Sequence, residues 1–281
     1  MKNYRGTKLA ALVAAAAMTV SGAALAAVSE VDGAGGGGIV PWALLSGDDA
    51  KSDYGAVASY TFINTDDFTV HSAGAAASFM HRVEVSYAHW YLGLPSALST
   101  PLGTDNIQAD VLGAKVKLLD MSDGLPQISL GVQFKRNSEG TLVKNLGAKD
   151  DSGTDFYVAA TKVTSLGGKN VLLNATLRET KANWMGLLGF GSDANDSYEL
   201  QFEGSAGVFL NDKTLLGIEY RGKPDNLKSV GLAEDDIGDV FVAYFPNKNL
   251  ALVSAYANMG QIATDAYENQ QALYLQVQAT F

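Results

Sequence analysis

The feature that most constrains the fold is a two-residue period in hydrophobicity, which recurs in runs of about ten residues from residue 53 onward. In 127–135, for example, Ile128, Leu130, Val132 and Phe134 alternate with polar or small residues. Successive side chains of a β-strand point to opposite faces, so each run predicts a strand with one apolar face and one polar face. The chain is therefore expected to build its main domain from strands.

Counting these runs predicts twelve strands, although ten or fourteen also fit the pattern. Long and short connections mostly alternate; the connection 64–67 is short where a long one is expected, and 119–126 is of intermediate length. An even number of antiparallel strands with long loops at one end and tight turns at the other is typical of outer-membrane proteins. We predict an all-β fold, a transmembrane, antiparallel, up-and-down β-barrel. The predicted strands are 53–63, 68–79, 82–92, 106–118, 127–135, 154–163, 170–178, 198–209, 213–221, 238–245, 249–258 and 271–281.

The composition agrees with a membrane barrel and excludes several other classes. Charged residues make up 18% of the 281 residues and the mean hydropathy is +0.04, yet no segment after the N-terminal stretch has the 18 consecutive apolar residues of a spanning helix. The chain carries 20 Lys and Arg against 30 Asp and Glu, and this acidic balance argues against nucleic-acid binding. The absence of cysteine fits an exported chain that is stabilised by a closed hydrogen-bonded sheet and not by disulfides.

Residues 1–26 read as a secretory signal peptide. Basic residues at positions 2, 5 and 8 precede an apolar core over 9–20, and Ala24-Leu25-Ala26 is a cleavage motif. A retained N-terminal anchor is the alternative. We therefore expect an exported protein of three parts: a signal peptide at 1–26, a Gly-rich segment at 27–52 that is periplasmic or plugs the lumen, and a barrel at 53–281. We expect the protein in the outer membrane of a Gram-negative bacterium, among its lipid and lipopolysaccharide.

Two resemblances add to this interpretation. The terminal segment 274–281, with Phe281 last, resembles the C-terminal signal that the barrel-assembly machinery reads, which implies that machinery as a partner. Most of the chain also resembles a family of uncharacterised Gram-negative barrel proteins, of the domain-of-unknown-function type. The stretches Gly36–Trp42, Thr176–Asn183 and Gly186–Gly191 carry this resemblance. Such a family implies an exported barrel and supplies no catalytic residues.

If the apolar faces meet lipid, the opposite faces line the lumen. The polar side chains on those faces carry both signs of charge, which suits either a solute-selecting channel or an ion-pair network that closes a narrow interior. Twelve strands lie between packed eight-stranded barrels and open porins, so size leaves both alternatives open. The predicted pore-lining residues are Arg82, Glu84, Gln133, Lys135, Arg178, Glu203, Glu219 and Arg221.

The predicted outer loop 184–191 is unusually apolar for a segment facing water. Exposed apolar patches normally mark a contact, so we expect a constriction in the lumen or a contact loop. A strand extension or a loop packed on its neighbours is the plainer alternative. The residues concerned are Trp184, Met185, Leu187, Leu188 and Phe190.

Catalytic chemistry receives little support from the sequence. His71 and Ser72 are adjacent and therefore point to opposite faces of a strand, and His89 shares the lipid-facing parity of its neighbours. Three dispersed histidines without cysteine make a poor metal site, so we expect neither a metal nor a cofactor. We predict a narrow, porin-like passive channel for a small solute and no enzymatic activity. The alternatives are a non-conducting structural or surface-interaction barrel and, third, a lipid-modifying enzyme.

Overall fold

The computed structural model describes residues 27–48 and 52–281, so the predicted signal peptide lies outside the described residues. Twelve antiparallel strands form a closed barrel in which each strand pairs with its neighbours in sequence and the last pairs with the first. The predicted up-and-down barrel of twelve strands is confirmed. The strands are β1 Tyr54–Thr65, β2 Thr69–Phe79, β3 Val83–Gly93, β4 Asn106–Leu119, β5 Gln127–Asn137, β6 Ser152–Leu166, β7 Lys169–Thr180, β8 Glu199–Asn211, β9 Thr214–Arg221, β10 Ile237–Asn247, β11 Leu250–Asn258 and β12 Gln271–Thr280.

The two faces of the wall differ in the way the hydrophobic period predicts. On β12, Tyr274 and Gln276 are buried inside the barrel, whereas Leu273 and Leu275 lie exposed on its outer surface. The same alternation holds around the barrel and leaves many Leu, Val, Phe and Tyr side chains on the outside. An apolar exterior around an interior that holds buried charged and polar side chains inverts the arrangement of a soluble protein and is that of an outer-membrane barrel in contact with lipid.

The two ends of the barrel also differ. Short turns at 80–82, 167–168, 212–213 and 248–249 lie at the end where β1 starts and β12 finishes, which in outer-membrane barrels is the periplasmic end. Phe281 follows β12 there, with its backbone N–H bonded to the carbonyl of Ala56 at 2.9 Å. None of the helices within 27–48 and 52–281 has the length and apolarity needed to cross a bilayer.

Most outer connections carry structure of their own. Helix α1 Ser96–Leu102 lies in the loop after β3, and α2 Gly140–Asn145 lies in the loop after β5. Two short strands, Ala148–Asp150 and Phe190–Ser192, pair with each other across the outer mouth. Single 3₁₀ turns occupy Asn183–Gly186, Lys228–Val230 and Asp265–Tyr267.

Candidate functional site

The lumen contains residues 27–48, called the plug below. Ala27 and Ser46 form a β-bridge, and Asp48 contacts His81 in a periplasmic turn at 2.6 Å, so the described segment begins and ends toward the periplasmic end. Between these points the chain rises into the barrel, reverses through the paired strands Val28–Ser29 and Gly35–Gly36, and returns. Every plug residue from 27 to 46 is buried.

Glycines let the plug backbone approach the wall. Gly33 has φ +92° and lies against the backbone of Tyr87, where a Cβ would come within 2.7 Å of the Tyr87 carbonyl oxygen. A Cβ on Gly37 would overlap the carboxylate of Glu219. The run of glycines at 35–38 is therefore needed for close packing against wall side chains, because glycine alone has no Cβ to displace them.

Glu84 and Lys115 fix one side of the plug. The Glu84 carboxylate accepts the backbone N–H of Gly35 at 3.0 Å and that of Ser46 at 2.6 Å. The Lys115 ammonium donates to the carbonyls of Gly35 at 2.7 Å and Leu44 at 3.0 Å, and lies 3.3 Å from Glu84. This buried ion pair thus satisfies four polar groups of the plug backbone, which would otherwise be costly to bury.

Glu219 fixes the other side. One of its oxygens accepts the N–H groups of Gly38 at 2.6 Å and Ile39 at 2.9 Å, and the other accepts the Ser205 hydroxyl at 2.7 Å. The indole N–H of Trp42 donates to Ser205 at 2.9 Å. A single wall carboxylate therefore holds the second turn of the plug, at 38–39, by direct hydrogen bonds. Through Ser205 it also holds the indole of Trp42.

The third contact brings two plug carboxylates to three wall cations, Lys135, Arg178 and Arg221, called the cation triad below. Asp32 accepts from Lys135 at 3.1 Å and from Arg221 at 2.9 Å. Glu30 lies 4.0 Å from Arg178 and 3.9 Å from Arg221, and it accepts the side-chain amide of Gln133 at 2.7 Å.

Two wall carboxylates complete this layer of charges. Glu203 accepts from Arg178 at 2.6 Å, and Asp155 lies 3.1 Å from Lys135 and 3.3 Å from Arg178. Three cations thus face four carboxylates.

Burial, reinforced by the charge of Asp32, raises the pKa of Glu30 to about 8. For Asp32 burial also acts to raise the pKa, but Lys135 and Arg221 outweigh it and hold that pKa below its usual range. The layer is close to neutral when Glu30 is protonated.

Residues 181–192, called the cap below, fold inward over the outer end of the plug. Trp184 and Met185 adopt positive φ values of 37° and 61°, an uncommon conformation for residues other than glycine, which turns the chain into the mouth. Lys135 donates to the carbonyl of Met185 at 3.2 Å, so one triad cation contacts both plug and cap. The predicted loop residues Trp184, Met185, Leu187, Leu188 and Phe190 are all buried here.

A buried ion pair holds the cap from the neighbouring loop. Glu234 accepts the backbone N–H of Trp184 at 2.7 Å and lies 3.5 Å from the Lys223 ammonium, which sits 5.9 Å from the Trp184 ring centroid. Burial raises the pKa of Glu234 to about 7 and lowers that of Lys223. The positive ammonium over the indole face adds a favourable contact.

Most of the predicted pore-lining residues face the plug. Glu84, Gln133, Lys135, Arg178, Glu203, Glu219 and Arg221 are buried in the lumen and belong to the contacts described above. The prediction that Arg82 lines the lumen is wrong. β3 starts at Val83, so the inward parity that Arg82 shares with Glu84 does not apply, and its half-exposed side chain pairs with Asp120 at 3.2 Å at the periplasmic rim.

The two histidines considered for catalysis lie on the outer surface. His71 contacts the Tyr60 hydroxyl at 2.6 Å, and His89 contacts Asp110 at 2.9 Å. Among the described hydrogen bonds neither imidazole pairs with a serine, which is the arrangement that an activated hydroxyl nucleophile needs. Over residues 27–48 and 52–281, no group of three or more acidic, His or Cys side chains is arranged to hold a metal.

Several residues of the site were missed by sequence reasoning. Lys115 and Asp155 have the inward parity of β4 and β6, so the alternation within the predicted strands could have revealed both. Glu30 and Asp32 gave no comparable signal, because a carboxylate in a Gly-rich segment looks the same whether it is solvated or buried. Their partners lie more than 100 residues away in sequence.

Comparison with known proteins adds the family. A family model described as "Protein of unknown function (DUF3034)" matches residues 25–278. The chain belongs to this family. The expected membership of an uncharacterised barrel family is thereby confirmed, and no curated protein sequence matches the chain.

Solved structures place this DUF3034 chain among porin-like barrels. The KdgM porin superposes with a TM-score of 0.52 at 11% identity, over 80% of this chain and 99% of that one. A second structure, "KdgM porin in complex with disordered oligogalacturonate", gives 0.52 at 12% identity over the same shares. The NanC porin gives 0.50 at 8% identity, over 80% and 98%. At such identities the likeness shows a porin-like outer-membrane barrel fold.

Proposed function

We propose that this protein is a gated outer-membrane channel for a small solute, and that the described structure is its closed state. The observation that carries the proposal is that a 22-residue chain segment occupies the lumen between the inward-facing side chains of the wall. Barrels too small to conduct fill their interior with wall side chains. Here the cross-section accommodates a folded polypeptide, so withdrawing the plug leaves a wall lined by polar and charged groups.

The plug is held by polar contacts that water can replace and by apolar packing of residues such as Ile39, Val40 and Trp42. Its polar anchors are hydrogen bonds from Glu84, Lys115, Glu219 and the cation triad, and each bond to a charged group has a net worth of about 1.5–3 kcal/mol because the partners rehydrate when it breaks. The wall does not depend on the plug for closure, since β12 pairs directly with β1. Release of the plug therefore requires no opening of the barrel.

A reversible crosslink tests this proposal. The chain has no cysteine, so a pair introduced at Ala43 in the plug and Thr161 in β6 is the only one present. The Ala43 backbone N–H bonds to the Thr161 hydroxyl at 2.7 Å, which brings the two residues into contact. We expect the oxidised Ala43→Cys/Thr161→Cys protein to be silent in a planar bilayer and the reduced protein to show discrete channel openings.

Each single-cysteine variant is the matched control, because oxidation cannot lock it. The wall is shown to be intact by the heat-dependent shift of the folded barrel in gel electrophoresis. Equal silence of oxidised and reduced protein, with the barrel folded and residues 27–48 accessible to protease after reduction, would refute the channel and favour a second candidate.

That second candidate is a non-conducting structural or surface-interaction barrel. The observation in its favour is the continuous burial of the plug beneath a cap that is itself buried. In this function the outer loops contact lipopolysaccharide or another surface molecule, and deletion of 184–190 abolishes that association without changing permeability. In both functions Phe281 would serve recognition by the barrel-assembly machinery, which a Phe281 deletion tests through loss of insertion.

A further inference from the structure

We propose that the cation triad is a binding site for the carboxylate of an acidic solute, and that Asp32 of the plug occupies this site in the closed state. The inference rests on the proposed channel function and names the class of solute that competes with the plug. The observation behind it is that, besides two carboxylates of the wall, the triad contacts Asp32, which belongs to the plug and not to a barrel strand.

The geometry is that of carboxylate recognition. A single oxygen of Asp32 accepts from the Lys135 ammonium at 3.1 Å and the Arg221 guanidinium at 2.9 Å. The other oxygen, Oδ1, is buried and has no hydrogen-bond partner among the described residues. A free carboxylate can turn to use both oxygens, as Arg and Lys side chains favour. The plug carboxylate is therefore a less than optimal occupant.

Wall charges set the preferred solute charge. When the plug withdraws, Lys135, Arg178 and Arg221 remain with two wall carboxylates, Asp155 and Glu203, so the layer has a formal excess of one positive charge. One carboxylate neutralises it. The wall carboxylates would repel a second negative charge on the same group, as in a phosphate dianion, which is why a monocarboxylate fits better.

Neighbouring groups supply further recognition. Gln133 donates its amide to Glu30 at 2.7 Å in the closed state, and loses this acceptor when the plug leaves. The same Gln133 accepts from Arg178 at 2.6 Å, and the Arg178 guanidinium lies 5.3 Å from the ring centroid of Tyr157. The arginine is thereby held in position, while the amide is free to donate to a solute hydroxyl. A hydroxylated monocarboxylate meets all of these groups.

Competition between solute and plug tests the inference. In the Ala43→Cys/Thr161→Cys protein, the rate of disulfide formation reports how often the plug is seated. We expect sodium glucuronate to slow this reaction, whereas glucose and sodium chloride at matched concentration and ionic strength do not. Glucose is the uncharged counterpart of glucuronate, and the chloride arm controls for screening.

A substitution then locates the effect. In the same cysteine-pair background, Arg221→Gln should raise the dissociation constant of glucuronate about tenfold, since a charge-assisted hydrogen bond is lost. Arg221 also holds Asp32, so this constant is obtained from the concentration for half-maximal slowing after correction for the weaker seating of the plug, which the rate of disulfide formation without glucuronate reports. Arg82→Gln is the matched control, because Arg82 lies at the rim outside the lumen, and should leave that concentration unchanged. Lys135→Gln provides the same test if the first variant does not fold.

The outcomes separate this inference from the channel function. Equal effects of glucuronate, glucose and chloride, or an unchanged glucuronate dissociation constant in both triad variants, would overturn the carboxylate site even if the reduced protein conducts. Slowing by glucuronate that depends on Arg221 supports the site, and it would do so even if bilayers stayed silent and the channel function failed.

Discussion

Replacing Asp32 by Asn should release the plug, but by less than the loss of a buried ion pair suggests. Asn has nearly the same shape and keeps a carbonyl oxygen for Lys135 and Arg221, so the change removes charge and little else. Removing one partner of a buried ion pair typically costs about 3–5 kcal/mol, because the other charge stays buried without compensation. With the plug released, water solvates the same cations and this cost disappears.

Glu30 can supply the missing charge. Its pKa of about 8 in the seated plug means that ionising it at pH 7 costs about 1.4 kcal/mol, and the Asp32 charge that helps to raise this pKa is gone in the variant. We therefore expect Asp32→Asn to cost about 1.4 kcal/mol, the cost of ionising Glu30, which corresponds to about tenfold in the release equilibrium. In the Glu30→Gln background this compensation is absent, so Asp32→Asn should there cost the full amount of about 3–5 kcal/mol relative to Glu30→Gln alone, which corresponds to about two to three and a half orders of magnitude.

The assay uses a single cysteine at Ala43, which is fully buried in the seated plug. When release and return are fast compared with labelling, the maleimide labelling rate is proportional to the released fraction. We expect Glu30→Gln alone to slow labelling at pH 7, because Glu30 takes up a proton when the plug seats and the glutamine removes the cost of that uptake. Asp48→Asn is the plug control. Its side chain contacts His81 at the periplasmic end, away from the triad, and we expect a change of less than about threefold.

The result that refutes this reasoning is equally specific. If Asp32→Asn accelerates labelling no more in the Glu30→Gln background than in the wild-type background, then Glu30 does not compensate for the lost charge. If Asp32→Asn labels at the wild-type rate, while the Ala43 thiol remains protected in the wild type, then the triad contacts do not hold the plug and its retention rests on the contacts of Glu84 and Glu219.

Three further predictions use the same variants or standard assays. Because the pKa of Glu30 is raised from 4.5 to about 8, seating of the plug is favoured at low pH and weakens as the pH rises through this window; the labelling rate should increase by up to about tenfold per pH unit, and Glu30→Gln should flatten this dependence. Gly37→Ala should loosen the plug, because its Cβ overlaps the Glu219 carboxylate, whereas Gly38→Ala, with its nearest atoms at 3.3–3.4 Å, should label close to wild type. Glu234→Gln removes the charge that pairs with a buried lysine beneath the cap, so limited proteolysis within 181–192 should become faster while the barrel stays resistant.

The sequence by itself determined the wall. A two-residue hydrophobic period depends only on neighbouring residues, because alternate side chains of a strand always face opposite sides. Runs such as 127–135 and 271–281 therefore reveal both the strand and its lipid-facing side, and connection lengths reveal which end is which. The inward placement of Lys135, Arg178 and Arg221 follows from the same local rule. Arg82 shows its limit, since parity says nothing about where a strand begins.

Only the tertiary structure decided what the lumen contains. Asp32 meets Arg221 across 189 residues of sequence, and Gly38 meets Glu219 across 181, so no local pattern encodes these contacts. The Gly-rich segment could equally have been extended in the periplasm, because glycine fits either environment. Burial of its backbone inside the barrel decides between the two: each plug N–H and carbonyl described above finds its partner on wall strands, which surround the segment only once the barrel has formed.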